Sequence, residues 1–156
     1  MAVRIYNASL RNLEYRLRRF RDLIPEFLED ALYEVEPQIV KAIQNQLYQR
    51  GIDGWGRKIM DYQPYTPVTI MIKKRKGQPT TRVTLKNTGA FYADMHIVYT
   101  SDGFYVTSAD KKTEELKTKY GPGIFRLTDE NFIRLVRVHI RRQLQREARK
   151  ALRGDI

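Results

Sequence analysis

The chain of 156 residues contains no cysteine and only two histidines. The absence of cysteine excludes a disulfide scaffold, a thiolate zinc site, an iron–sulfur cluster and a cysteine nucleophile. Since His96 and His139 are the only imidazoles, a cage of several histidines around a metal is excluded as well. The sequence also lacks an apolar run long enough to cross a membrane and an apolar signal segment at its N-terminus. We therefore expect a soluble protein that stays in the compartment where it is made.

Acidic residues are scarce relative to basic ones, and the basic excess is unevenly distributed. The chain has 29 Lys and Arg residues against 18 Asp and Glu residues, a formal net charge of +11. Residues 51–88 carry eight basic and two acidic residues, and residues 129–156 carry eight and four, whereas the other segments are close to balance. Such basic blocks attract phosphates, anionic surfaces or acidic protein partners.

The N-terminal third has the apolar spacing of amphipathic helices. Ser9 is a plausible N-cap for a first helix, and Pro25 suits the first turn of a second one. Pro37 predicts either a kink or a junction between two abutting helices, and Gly51 is a suitable C-terminal cap. We expect residues 1–50 to be helical.

The rest of the chain alternates turn signals with short periodic segments. The predicted elements are a helix from Pro67 to Lys74 capped by Thr66, a strand over 83–85, a hairpin over 93–108 turning at 101–103, a helix over 113–120, and a long helix capped by Thr128 and running to about Leu152. We expect an α+β fold with N-terminal helices, a small antiparallel sheet with a hairpin, and a long C-terminal helix. Residues 1–156 are predicted to form a single domain, in a helical part (1–50), a loop and sheet part (51–128) and a C-terminal helix (129–153).

No group of residues predicts catalysis or a cofactor site. In the segment 51–58, GIDGWGRK, the lysine is displaced by one residue from its place in a phosphate-binding loop, and no Ser or Thr follows it. The segment indicates a structured surface turn instead. Asp94 and His96 would share one face of a strand, but no third metal ligand accompanies them. We expect a protein that is not an enzyme and needs no metal or cofactor.

The C-terminal helix has one strongly basic face. At 100° per residue, four arginines fall within about 60° of one another; they are Arg142, Arg146, Arg149 and Arg153. The face is either a solvated surface or one placed against DNA phosphates or the acidic side chains of a partner. The residues expected to anchor the helix are Phe132, Val136, Ile140 and Leu144. Because this apolar stripe drifts around the axis, we expect the distal half to project toward a partner.

Two short motifs lie in succession between residues 65 and 91. The motif residues are Tyr65, Thr66, Thr69 and Lys73, followed by Leu85, Thr88, Gly89 and Phe91. The pattern resembles the virion morphogenesis, or tail-completion, proteins of tailed bacteriophages, in which a Thr…Lys segment precedes a Leu-x-x-Thr-Gly-x-Leu/Phe motif, a hairpin and a C-terminal helix. The resemblance covers roughly residues 47–153.

The resemblance implies a structural virion protein that assembles as a ring at the head–tail junction or the tail end. The partners it implies are further copies of the chain, neighbouring virion proteins (portal, adaptor or tail tube) and DNA passing through a channel, with assembly in the host cytoplasm and no membrane involved. The basic residues expected in its assembly loop are Arg57, Lys58, Lys73, Lys74, Arg75 and Lys76. The alternative function is a basic nucleic-acid-binding module that acts through phosphate contacts.

Overall fold

The computed structural model describes the backbone of residues 2–155 and the side chains of residues 9–155. The α-helices are α1 (Ala2–Asn45), α2 (Ile59–Tyr62), α3 (Pro67–Arg75), α4 (Ala90–Ala93), α5 (Thr113–Tyr120), α6 (Asp129–Phe132) and α7 (Val138–Arg153). Strands β1 (Met95–Thr100) and β2 (Gly103–Ser108) form a two-stranded antiparallel sheet. The predicted α+β class is confirmed.

Helix α1 is longer and less interrupted than the sequence suggested. It begins at Ala2 and continues through Pro25 and Pro37, so the predicted N-cap at Ser9 and the separate second helix are wrong. Proline removes one helical hydrogen bond, but the apolar positions before and after both prolines stay in phase on one face. The helix ends in a π-helical turn, after which Gly51 adopts a left-handed conformation with φ 63°, as predicted for its cap.

The chain divides into two compact units: a terminal unit of residues 1–35 and 134–156, and a central unit of residues 36–133. Each is described by itself below. The prediction of a single domain stays a prediction.

The central unit has a core built from the end of α1 and the segments that follow it. Its fully buried apolar side chains are Ile39, Ile43, Leu47, Ile59, Val83 and Ile124. The Glu36 carboxylate covers the outer edge of β1, where it accepts hydrogen bonds from the Ile97 amide at 3.3 Å and the Tyr99 hydroxyl at 3.1 Å. The hairpin of β1 and β2, with its turn at 101–102, confirms the predicted one.

A buried glutamine positions the start of α6. The Gln46 side chain is 2% exposed; its oxygen accepts hydrogen bonds from the Thr128 amide at 3.0 Å and the Asn131 side-chain amide at 2.7 Å. Its own amide donates to the Arg126 carbonyl at 3.0 Å. Thr128 is the N-cap of α6, as predicted, and accepts from the Asn131 amide. The predicted helix at 113–120 is also confirmed.

The predicted strand at 83–85 is wrong. These residues are buried, but they form a coil segment that pairs with no strand in the part of the chain that the structure describes. The Thr84 amide donates to the Tyr65 hydroxyl at 2.8 Å, and the Thr84 carbonyl accepts from the Tyr92 hydroxyl. Leu85 then takes a positive φ of 54°, which is incompatible with a continuing strand. Side chains thus bind the backbone groups that a neighbouring strand would otherwise use.

In the terminal unit, α7 runs antiparallel to the N-terminal part of α1. The Arg16 guanidinium donates to the Leu152 carbonyl at 3.2 Å near one end, and His139 Nε2 lies 3.0 Å from the Glu34 carboxylate near the other. Burial on α7 extends to Ala151, which is 1% exposed. The expectation that the distal half of α7 projects away is therefore wrong.

Among the predicted anchors of α7, burial is also distributed differently than expected. Val136 is buried, whereas Phe132 is 45% exposed. Ile140 and Leu144 are half-buried. The π-helical turn at Ile133–Arg137 shifts the phase of the apolar stripe, so a projection with constant 100° steps per residue fails across it.

None of the helices in the part of the chain that the structure describes has the length and apolar character of a membrane span.

Glu147 is a buried carboxylate on α7 whose pKa links stability to pH. It is 5% exposed and accepts hydrogen bonds from Lys150 Nζ at 2.9 Å and Arg146 Nε at 3.2 Å. Burial alone raises its pKa, but the hydrogen bonds from Lys150 and Arg146 outweigh this effect and lower the pKa below its ordinary 4.5. As the pH falls, Glu147 is therefore protonated in the unfolded chain before it is protonated in the folded one.

We predict that Glu147→Gln lowers the free energy of unfolding at neutral pH, and that the deficit shrinks in acid. A carboxyl with a lowered pKa stabilises the fold fully above about pH 5, and this contribution is lost as the pH falls through the folded-state pKa. Urea titrations from pH 7 to pH 3 measure the difference between variant and wild type. Glu115→Gln, at an exposed position, is the matched control. A deficit that does not change with pH would contradict the assignment.

Candidate assembly site

The six predicted assembly-loop residues separate into exposed and structural groups. Lys58, Lys74, Arg75 and Lys76 are exposed, and their charges are presented to solvent. Lys73 is 7% exposed, whereas Arg57 is exposed but pairs with the buried carboxylate of Asp53. The prediction that Lys73 presents its charge to a partner is therefore wrong.

Lys73 instead joins three parts of the central unit. Its ammonium group donates to the Lys86 carbonyl at 2.8 Å, to the Gln78 side-chain oxygen at 3.1 Å and to the Thr84 hydroxyl at 3.4 Å. The same nitrogen lies 5.0 Å from the centre of the Tyr65 ring, within range of a cation–π contact. A buried ammonium must be satisfied in this way because the loss of its hydration is costly.

Thr84 is the centre of this hydrogen-bond network and is itself fully buried. Its amide donates to the Tyr65 hydroxyl, its hydroxyl contacts Lys73, and its carbonyl accepts from Tyr92. Burial raises the pKa of Tyr92 well above its usual range, which keeps this phenol protonated as a donor. We call these four residues the Thr84 network. Thr84 and Tyr92 were not predicted as members, since they lie between or beside the motif positions.

The remaining motif residues shape the backbone around the Thr84 network. Thr66 caps α3 by accepting from the Thr69 amide at 3.2 Å, as predicted. Gly89 precedes α4 with φ 104°, a conformation that favours glycine. Phe91 is buried and stacks near Phe125, with ring centroids 5.5 Å apart.

The last two motif positions complete the turn into α4. Thr88 is exposed, and its hydroxyl accepts from the Ala90 amide at 3.4 Å. Leu85 is buried, with the positive φ noted above. Every motif residue thus has a structural role that is visible in the fold.

The turn at 51–58 is organised by a fully buried aspartate. One oxygen of Asp53 accepts from the backbone amides of Trp55 at 2.9 Å and Arg57 at 3.0 Å, and the other accepts from Arg57 Nε at 2.9 Å. The Tyr62 hydroxyl lies 3.3 Å from the second oxygen, and burial together with this carboxylate raises the pKa of Tyr62 to about 12. The expected structured turn is present.

This turn holds a tryptophan at the surface. Trp55 is 49% exposed, and the guanidinium groups of Arg57 and Arg126 lie 4.9 Å and 5.7 Å from the centre of its ring. Partly exposed tryptophan and arginine are enriched at protein interfaces. Trp55 with its two arginines is therefore a candidate contact point.

The four arginines of the predicted basic face of α7, Arg142, Arg146, Arg149 and Arg153, are all exposed. Arg146 also pairs with the buried Glu147. Arg142, Arg149 and Arg153 make no hydrogen bond or ion pair with any part of the chain that the structure describes. Three of the four charges are therefore available to an external partner.

A groove beside β2 is a further surface that sequence analysis missed. It is open to solvent and lined mainly by apolar side chains, among them Ile43, Phe104, Val106, Phe125, Leu127 and Phe132. The alternation of Phe104 and Val106 along β2 could have indicated one wall of the groove. The opposite wall could not be predicted, because its residues come from distant parts of the chain.

Within residues 9–155, no three acidic or histidine side chains come together as a metal site would require. His96 Nδ1 lies 2.9 Å from the backbone carbonyl of Asp94, not from its carboxylate. Comparisons of the chain with models of protein families, with curated proteins and with solved structures gave no match. The resemblance to tail-completion proteins therefore rests on the motif residues and on the order of the elements that follow them.

We predict that Lys73→Ala lowers the free energy of unfolding by about 2–4 kcal/mol, because it leaves the Lys86 carbonyl without the ammonium donor and removes one of the hydrogen bonds to the buried Thr84 hydroxyl. The neighbouring Lys74→Ala is the matched control: it removes an exposed charge and should change stability by less than about 0.5 kcal/mol. Urea denaturation measures both. Equal effects of the two substitutions would show that the buried ammonium is not part of the folding network.

Proposed function

We propose that this protein is a structural component of a tailed-phage virion that assembles as a ring at the head–tail junction or the tail end. The observation that carries the proposal is the motif segment 65–91. Its residues resemble the tail-completion pattern and also form a connected structural unit around Thr84. Motif residues that stabilise the fold are expected in a protein that has a structural role in an assembly.

The surface of the chain supports a role in assembly. Large apolar side chains are exposed on both units: Leu10, Leu13 and Leu17 on α1, Val68, Met71 and Ile72 on α3, and Phe132 and Ile133 around α6. Clusters of exposed apolar residues mark sites of protein contact. A stable contact between ring subunits would bury more than roughly 1,000 Å², and these clusters offer area for it.

We predict that the protein is present in purified virions and forms rings when purified alone. Mass spectrometry of particles separated on a density gradient measures the first, and negative-stain microscopy of the recombinant protein the second. A protein that stays a monodisperse monomer and never enters particles would contradict the proposal.

A nucleic-acid-binding module is the second candidate, and the exposed basic residues of the central unit favour it. Lys58, Lys74, Arg75 and Lys76 all present their charges to solvent. If this candidate is right, affinity for duplex DNA should fall by orders of magnitude between about 50 and 200 mM salt, because bound counterions are released on binding. Fluorescence anisotropy with a labelled duplex measures this dependence. Absence of binding at the lower salt concentration removes the candidate.

A further inference from the structure

Helix α1 carries an acidic stripe on the terminal unit. Between Asp22 and Glu36 it has six acidic residues and no basic one. Asp22, Glu26 and Glu29 are exposed, and their i, i+4, i+7 spacing places them within about 60° on one helix face. The next position of this series is Tyr33, which is also exposed. We call Asp22, Glu26 and Glu29 the acidic stripe.

The arginines of α7 repeat the same spacing with the opposite charge. Arg142, Arg146, Arg149 and Arg153, the basic stripe, are separated by four, three and four residues, as are positions 22, 26, 29 and 33. At 1.5 Å per residue, the first three positions of each stripe span about 10.5 Å. The three positions of the acidic stripe therefore match three successive positions of the basic stripe in interval. They match Arg142, Arg146 and Arg149 if the helices are parallel, and Arg153, Arg149 and Arg146 if the helices are antiparallel.

The two stripes do not pair with each other within one chain. On α1 the buried side chains include Ala31 and Val35, and on α7 they include Gln143 and Ala151. The acidic stripe lies at least about 120° around α1 from Ala31 and Val35, and the basic stripe lies at least about 140° around α7 from Ala151. Gln143 is closer to Arg146, and Arg146 lines the groove between α7 and α1 beside Tyr33.

Most charges of the two stripes are also unpaired. Over the described part of the chain, Glu26, Glu29, Arg142, Arg149 and Arg153 have no hydrogen bond or ion pair. Asp22 pairs only with its exposed neighbour Arg21.

We propose that the basic stripe of one copy docks against the acidic stripe of the next copy in a head-to-tail contact. The inference rests on the homo-oligomer of the proposed function and identifies the two faces that form it. Each copy contributes one face of each kind, so the contact repeats from copy to copy and gives a closed ring when the rotation between copies closes. Charge complementarity of this kind fixes register and partner choice.

A second copy fits these observations better than DNA does. Phosphates would satisfy the basic stripe, but the acidic stripe lies on the same unit and would repel them. A second copy satisfies both stripes at once. The contact should weaken as salt rises, since the Debye length falls from about 10 Å at 0.1 M to about 3 Å at 1 M.

The test uses two charge-reversal variants of the full chain. The first combines Arg142→Glu, Arg149→Glu and Arg153→Glu, and it leaves Arg146 in place because that side chain binds the buried Glu147. The second combines Asp22→Lys, Glu26→Lys and Glu29→Lys. The matched control reverses three exposed lysines of the central unit that lie outside both stripes, Lys111, Lys112 and Lys119, and it changes the net charge as the first variant does.

Each variant alone should assemble more weakly than wild type by on the order of 100-fold in concentration, since its two faces have the same sign and repel. An equimolar mixture of the two should assemble again, because each supplies the face that the other lacks. The control should assemble like wild type. Mass photometry measures assembly, and thermal melts check folding. If a triple variant does not fold, Arg149→Glu mixed with Glu26→Lys makes the same comparison.

Several results would overturn the proposal. These are assembly by either variant alone at the wild-type concentration, a mixture that stays dissociated, and loss of duplex binding by the first variant without rescue in the mixture. The last result would assign the basic stripe to DNA. Failure of the proposed function is seen separately, in the protein content of virions. If the protein is found in particles but both charge-reversal variants assemble like wild type, the virion role stands and this contact is excluded.

Discussion

The structure of the central unit depends on the burial of Thr84 among hydrogen-bonding side chains. A coil segment without strand partners leaves amide and carbonyl groups that must be satisfied internally. Tyr65 and Tyr92 bind these groups, and the Lys73 ammonium binds the Thr84 hydroxyl. Since Lys73 also reaches the Lys86 carbonyl, one side chain connects α3 to the residues that lead into α4. Two of the motif residues, Tyr65 and Lys73, thus help to hold this region together.

The basic excess of the sequence has two different uses in the fold. Lys73 compensates buried polar groups, and its charge contributes to stability rather than to partner binding. Arg57 pairs with the buried Asp53, but its side chain remains exposed beside Trp55. The arginines of α7 and the exposed lysines of residues 58–76 present theirs to solvent. Net charge alone does not separate these uses, because burial depends on contacts made by distant parts of the chain. It follows that the external electrostatics of the protein are set by fewer residues than its composition implies.

Local signals predicted the hairpin, α3 with its Thr66 cap, α5 and the start of α6, because turn and capping residues act over a few positions. The same reasoning failed at Pro25 and at 83–85, where a long apolar face and side-chain hydrogen bonds override local preference. The acidic stripe was missed for another reason. Residues 1–50 have nearly balanced charge, and this balance hides a basic start and an acidic stretch from Asp22 to Glu36. The motif positions were predictable, but their joint contact with Thr84 was not, since it requires the tertiary fold.

If the chain is a ring-forming part of a tailed virion, cryo-electron microscopy of intact particles will show a ring of density at the neck or at the tail end. The hairpin of β1 and β2 and the long helices will fit this density, repeated around the tail axis. Particles in which every ring of the neck and tail belongs to other proteins, with no density for this chain, would rule out this role.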